Sequence, residues 1–345
     1  MKKNLIALAV LAAAGVASAQ SNVTLYGLAD VYVGSSRVKT SAPGVASTSN
    51  RQTVIDSGGF NTSRFGLRGS EDLGSGLKAN FVLEAGFDMS TGVSNNYTNP
   101  YTGATSNAIF GRQSWVGLSS GFGEVRLGKM WTPYDEVKGT GAAAFDANIF
   151  APATGVWLSN DYNDRPGNSI YYATPNFGGF SAAALYSLGE NKTLTASAGK
   201  IASFNVQYVG GPFAAALAYQ TEKANGLAAT NTTKFTQLNG SYNFGVAKLL
   251  AAYGNVKEGG DRAREYQIGV DVPLGVVTVS GGVARSKISL AGGGETRSTG
   301  VGLAAKYDLS KRTFLYTGLQ MAKNELGGGS EAKTDTFAVG VQHKF

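Results

Sequence analysis

The chain has 345 residues, a formal charge of +7, no cysteine, one histidine and only 15% charged residues, where ordinary soluble domains carry about 25%. The lack of cysteine excludes disulfide scaffolds, thiolate metal sites and cysteine nucleophiles. The single His343 excludes multi-histidine metal sites, and 17 Phe, 16 Tyr and 3 Trp argue against disorder.

The first segment is an address. Lys2 and Lys3 precede an apolar run from Leu5 to Val16, and Ala17-Ser18-Ala19 follows as an A-x-A cleavage site. This order predicts a secretory signal peptide over 1–19, with a run too short to span a bilayer. No later segment offers an uninterrupted apolar stretch long enough for a membrane helix. An exported chain of this kind is either soluble outside the inner membrane or embedded as a closed β-barrel.

From residue 23 the pattern has period two. Val23, Leu25, Gly27, Ala29, Val31 and Val33 alternate with Thr24, Tyr26, Asp30 and Tyr32, which predicts a strand with one greasy and one wet face. Leu77, Ala79, Phe81, Leu83, Ala85 and Phe87 repeat the pattern against Lys78, Asn80, Glu84 and Asp88. So do Val339, Val341, His343 and Phe345 against Gln342 and Lys344.

Connections of two kinds separate the strands. Gly/Pro/Asn turns fall at 72–76, 120–123, 175–179, 210–212, 243–245, 273–275 and 309–312. Longer polar segments lie at 35–60, 89–108, 132–164, 188–195, 221–232, 255–261, 288–295 and 325–333. Fifteen connections imply about sixteen strands, of some 8 to 13 residues each. Short turns at one end and long loops at the other predict an all-β transmembrane antiparallel barrel over 20–345. Tyr26, Phe87, Phe180, Tyr186, Phe213, Tyr219, Tyr242, Tyr307 and Phe345 near strand ends are expected at the membrane interfaces. The terminal Phe345 is expected to serve barrel closure and assembly.

Several stretches carry a family likeness. They are Val23–Gly27, Ser63–Gly74, Gly111-Arg112-Gln113 with Val116-Gly117-Leu118, Arg165–Tyr172, and Gly340–Phe345. Together they resemble the general porins of Gram-negative outer membranes, in the branch typified by β-proteobacteria. The resemblance covers the chain from residue 20 onward. It implies a sixteen-stranded barrel, a homotrimer, a third loop folded into the lumen, and passive diffusion of small hydrophilic solutes and inorganic ions. Its implied surroundings are outer-membrane lipid and lipopolysaccharide, with no cofactor and no nucleic acid.

The charge of the pore follows from sidedness, because an arginine on the lipid face at mid-depth costs about 2–4 kcal/mol. With Phe65, Leu67 and Trp115 taken outward, Arg64, Arg68, Arg112 and Arg165 face the lumen. Arg64, Arg112 and Arg165 match the inward arginine ladder of similar porins. The opposing wall is expected in segment 132–164, with Asp135, Glu136 and Asp146 as its acidic candidates. The Pro-Glu-Phe-Gly-Gly element of the enterobacterial porins is absent, leaving a weakly acidic, alanine-rich loop. Rings of arginine favour anions, so an anion-preferring channel is expected. The alternative for the arginines is pairing with neighbouring carboxylates, which would leave selectivity near neutral.

Two other readings compete with this one. An outer-membrane enzyme needs a general base and a nucleophile on one wall, and the isolated His343 supplies neither. A ligand-binding or adhesin-type barrel without a general transport role is the remaining alternative. Asp161, Asn163 and Asp164 lack EF-hand spacing and read as a solvated acidic loop rather than a metal site.

Overall fold

The computed structural model describes residues 22–94, 97–98, 105–189, 192, 194, 197–223 and 232–345. The export signal expected at 1–19 lies outside the described residues. The first part of the wall consists of β1 (Asn22–Ala42), β2 (Val45–Ser57), β3 (Arg64–Gly74) and β4 (Leu77–Gly86). A small outer hairpin follows, β5 (Tyr97–Thr98) with β6 (Thr105–Ser106). The wall resumes with β7 (Gln113–Ser120), β8 (Gly123–Lys129), β9 (Ser169–Ala173), β10 (Phe180–Leu188), β11 (Lys200–Gly210) and β12 (Phe213–Lys223). It is completed by β13 (Thr232–Asn243), β14 (Lys248–Glu258), β15 (Asp261–Leu274), β16 (Val277–Ser289), β17 (Glu295–Asp308), β18 (Thr313–Gly327) and β19 (Ser330–Lys344).

Every pairing in the wall is antiparallel, and the ring closes where β1 pairs with β19 from Leu28↔Lys344 to Ser41↔Glu331. The 17 strands of this sheet make a barrel sixteen strands round, because β2 and β3 occupy one position beside β1. Closure leaves no unpaired edge inside lipid, the condition any spanning sheet must meet. Outward positions carry Leu25, Leu67, Val116, Leu127, Ile170, Leu217, Leu238, Ile268 and Leu303, all exposed. Inward positions carry small or polar groups such as Ser203, Asn205, Ala218, Gln237, Gln267 and Ser280, all buried. The alternation of the sequence is therefore the lipid–lumen alternation of the wall.

All seven short turns are where the spacing places them. Three expected external loops are different. Segments 35–60, 255–261 and 325–333 are mostly strand, and β1–β2, β14–β15 and β18–β19 continue outward to tight turns at Gly44, Gly259-Gly260 and Gly328-Gly329. Both faces of these extensions meet water, so they show no apolar alternation. Their Ser and Thr residues still suit an extended ladder. As a result β1 runs 21 residues, beyond the expected range. Tyr26 is a second correction: its hydroxyl donates to Glu84 Oε2 at 3.1 Å in the lumen, so its ring is not at the membrane interface.

Between Leu28↔Arg64 and Val31↔Ser57 the second wall position leaves the ladder over residues 58–63. Asp30, fully buried in that gap, holds the excursion. Its carboxylate accepts from the backbone N–H groups of Asn61 (2.9 Å) and Phe60 (3.3 Å), and from Tyr316 Oη (2.5 Å). Phe60 is thereby turned inward, with ring centroids 5.0 Å from Phe314 and 5.4 Å from Phe145.

A candidate channel constriction

The segment 130–168 between β8 and β9 folds into the barrel. It begins with the short helix α1 (Pro133–Glu136). Thr132 caps the helix by accepting from Asp135 N–H, and Pro133 sits in its first turn. Tyr134 is fully buried; its N–H donates to Ser203 Oγ at 3.0 Å, and Asn205 Nδ2 donates to Pro133 O at 2.7 Å. The loop then crosses the lumen to the excursion at 58–63. There Asn148 N–H donates to Phe60 O and Ile149 N–H to Gly59 O, both at 3.2 Å. Ala144, Phe145 and Asp146 all have positive φ (50°, 62°, 51°), a left-handed turn that costs roughly 1–2 kcal/mol per residue. Packing of Ala144 and Phe145 among Phe60, Phe150 and Phe314 holds it.

The returning limb is tied to the far wall. Glu265 of β15, fully buried, accepts from Leu158 N–H (2.6 Å), Ser159 N–H (3.0 Å), the Ser159 hydroxyl and Ser286 Oγ (2.9 Å). Gln237 and Gln320 donate to the carbonyls of Ser159 and Thr154. The limb approaches β17 backbone to backbone. A Cβ at Gly300 would stand 1.9 Å from Pro152 O, and one at Gly302 would stand 2.1 Å from Phe150 O. Glycine at these two inward positions gives the loop its seat.

The basic residues gather on the opposite side. Arg64 (β3) has Nε 3.6 Å from Glu84 Oε2, and Arg112, just before β7, has Nε 2.8 Å from Glu84 Oε1. Arg165, at the end of the loop, lies over the Trp131 ring at 4.3 Å, and Arg112 lies over the same ring at 5.4 Å. Arg68 lies over Tyr26 at 5.1 Å. A cavity of about 550 Å3 runs past Arg64, Arg68, Arg112, Glu84, Tyr26 and Trp131. Arg165 also pairs with Asp164 at 3.0 Å. One buried carboxylate, Glu84, thus serves two guanidiniums, and Trp131 lies beneath two. A throat with several fixed cations and low-dielectric walls focuses a positive potential on passing solutes.

The loop carboxylates are engaged elsewhere. Asp146 pairs with Lys138 at 3.5 Å. Asp135 accepts from the Tyr162 hydroxyl. Glu136 accepts from Tyr171 Oη at 3.0 Å and lies 4.0 Å from Arg126 Nη1. Burial pushes the Asp135 carboxyl up to about 6 and the Glu136 carboxyl up to about 7, with Asp135 adding to the rise at Glu136. Their opposition to the arginines is therefore weakened twice, by their own partners and by partial protonation at neutral pH.

Four residues of this arrangement were not singled out from the sequence: Glu84, Trp131, Glu265 and Asp30. Glu84 was visible as a wet-face residue of an alternating strand. Its pairing with Arg112 needs the β4–β7 register, which sets Glu84 opposite Gln113.

Comparison with known proteins bears on the whole chain. Residues 6–344 match a family described as Gram-negative porin. The chain is 38% identical over 362 residues to outer membrane porin protein 32 of Delftia acidovorans, covering 99% of this chain and 95% of that protein. It is 31% identical over 401 residues to an outer membrane porin protein of Bordetella pertussis, with both covered in full. Among solved structures it is similar to the anion-selective porin from Comamonas acidovorans, with a TM-score of 0.76 at 31% identity over 94% of this chain and all of that one.

Proposed function

The chain belongs to the Gram-negative porin family and is an outer-membrane channel for diffusion of small hydrophilic solutes and ions; from that premise we propose that its throat prefers anions. The observation that carries the proposal is the imbalance around the cavity. Arg64, Arg68 and Arg112 line the cavity with one buried carboxylate, Glu84, shared by Arg64 and Arg112, and Arg165 lies beside them over Trp131 and pairs with Asp164, while Asp135, Glu136 and Asp146 are held by other partners. Rings of fixed arginine select anions by sign. The selectivity named for the similar porin of Comamonas acidovorans supports the same sign. The segment 132–164 is read as the constriction loop, and residues 1–19 as the cleaved export signal.

The reading includes a homotrimer in contact with outer-membrane lipid and lipopolysaccharide, and it assigns the barrel no catalytic chemistry. Purified protein in a planar bilayer with a KCl gradient tests the proposal. An anion-favouring zero-current potential supports it, and a cation-favouring one removes the selectivity claim while leaving the channel.

A further inference from the structure

We propose that the free edge of β2 docks an extended, acidic segment of another protein, which adds a strand to the sheet beyond the membrane. The argument rests on strand pairing outside the lipid-facing band and not on the ion preference of the throat.

β2 and β3 share one wall position but differ in their neighbours. β3 pairs with β1 on one side and with β4 on the other. β2 pairs with β1, and among the described residues no strand pairs with its other edge. The β3–β4 ladder ends at Arg64↔Gly86, below the excursion at 58–63. Beyond it β2 continues beside β1 in unbroken register from Val31↔Ser57 to Thr40↔Thr48. Antiparallel pairing uses the N–H and C=O of every second residue, and those of the residues between point away from the partner. Residues 45–53 are exposed, and Val45 and Ile55 keep 67% and 66% of their surface open. Proteins blunt such edges with proline, a bulge or short length. β2 has 13 residues, no proline and no bulge along that register.

The charge along the edge says what fits it. Across the outward face one row runs Asp335, Arg37, Arg51. It ends on two like charges directly opposite one another, an arrangement that destabilises a sheet. Arg37 leans toward β2, its Nε donating to Ser49 Oγ at 3.0 Å. The next position in that row therefore suits a carboxylate. The neighbouring rows end on Thr53 and Ile55, which suit a β-branched and an apolar side chain. Running antiparallel to β2, the complementary segment carries apolar, β-branched and acidic residues at alternate positions in that order. A second copy of β2 does not match. The residues that share the face of Arg51 are Val45, Ser47, Ser49, Thr53, Ile55 and Ser57, none of them acidic. Asp56 is on the other face, where it accepts from Tyr32 Oη at 3.3 Å. Arg51 thus opposes self-pairing of the edge while it admits an acidic strand. Recognition by strand addition takes its affinity from the main chain and its specificity from alternate side chains.

The experiment titrates the full barrel, in zwitterionic detergent, with two fluorescent heptapeptides: Val-Thr-Thr-Gln-Glu-Thr-Thr and the same peptide with Lys in place of Glu. The acidic peptide binds on the order of fivefold tighter than the lysine peptide, the size of a favourable cross-strand charge pair. Arg51→Glu reverses the preference. Arg51→Gln, which keeps a polar side chain at the same exposed position, removes it. The acidic peptide N-methylated at every residue cannot pair and does not bind. A carbon-13 carbonyl label in the bound acidic peptide gives the infrared shift of a strand within a sheet. Bilayer recording without peptide reports the throat alone, so failure of that reading and failure of this one are separable. No saturable binding of the acidic peptide, equal affinity for both peptides, binding of the N-methylated peptide, or an unchanged preference in the Arg51 variants would each overturn the proposal.

Discussion

Arg112 Nε stands 2.8 Å from Glu84 Oε1, and the two side chains are only 7% and 4% exposed. This is a desolvated ion pair, and removing one partner of such a pair typically costs about 3–5 kcal/mol because the other is left buried and charged. Glu84→Gln is expected to lower barrel stability by an amount toward the lower end of that range, since the amide still accepts a hydrogen bond. It is also expected to raise anion preference, because the one carboxylate shared by Arg64 and Arg112 is gone. Denaturant titration and zero-current potentials on the same preparation check both effects. A variant with unchanged selectivity would show that Glu84 does not balance the throat.

Selectivity should depend on pH through α1. Asp135 and Glu136 hold protons up to about pH 6 and 7 because desolvation inside the barrel disfavours their charged forms. Lowering pH from 8 to 5 removes their negative charge and leaves Arg126 less compensated, so anion preference rises. The stability sign follows from proton uptake. Both groups bind protons more tightly folded than unfolded, so their contribution is fully present below about pH 4 and is lost as pH rises through 6 and 7. Glu136→Gln should flatten the upper part of the selectivity profile. A wild-type profile that is flat across that range would refute the assignment.

The seat of the loop gives a steric prediction. Gly302→Val places side-chain atoms where Phe150 O now lies, 2.1 Å from an ideal Cβ. Overpacking of this kind costs about 1–3 kcal/mol, and the loop is the part able to yield. The barrel should assemble, and single-channel conductance should fall as the loop is pushed into the lumen. Conductance equal to wild type in an assembled variant would mean the loop does not bound the pore.

The closing seam predicts an assembly defect. Gly27 and Phe345 exchange both backbone hydrogen bonds at 3.1 Å, and the Phe345 ring occupies the space where a Cβ on Gly27 would be. Deleting Phe345 should lower the yield of folded barrel far more than the conductance of the barrels that form. Heat-modifiable mobility on gels reports the first and bilayer recording the second. Normal yield of the truncated protein would count against a closure role.

The barrel was legible because one physical rule, lipid outside and water inside, writes period two into every spanning strand. The same rule put Arg64 on the lumen side. For Arg112 it rested on an outward Trp115, whereas Trp115 packs inward beside Tyr171 and Met130, and Val116 and Leu118 take the lipid face. Arg112 and Arg165 lie outside β7 and β9, where alternation does not set the face. It is silent where both faces are wet, which is why β1, β2, β18 and β19 continue through stretches that read as loops. The inward turn of Tyr26 and the buried roles of Asp30 and Glu265 depend on partners far along the chain: Glu84, Tyr316 and Ser159. Residue 135 or 136 could be named as acidic from the sequence. That Tyr162 and Tyr171 would hold these carboxylates depends on how the loop folds back, which spacing does not encode.

The most direct test is the zero-current potential of single channels in a KCl gradient, wild type against Arg64→Gln/Arg165→Gln. This variant removes the two more exposed guanidiniums, with side chains 28% and 19% exposed, and leaves the buried Arg112–Glu84 pair intact. The account predicts an anion-favouring potential in wild type that moves toward zero in the variant with conductance retained. A cation-favouring wild type, or a variant with the same anion preference, would contradict it.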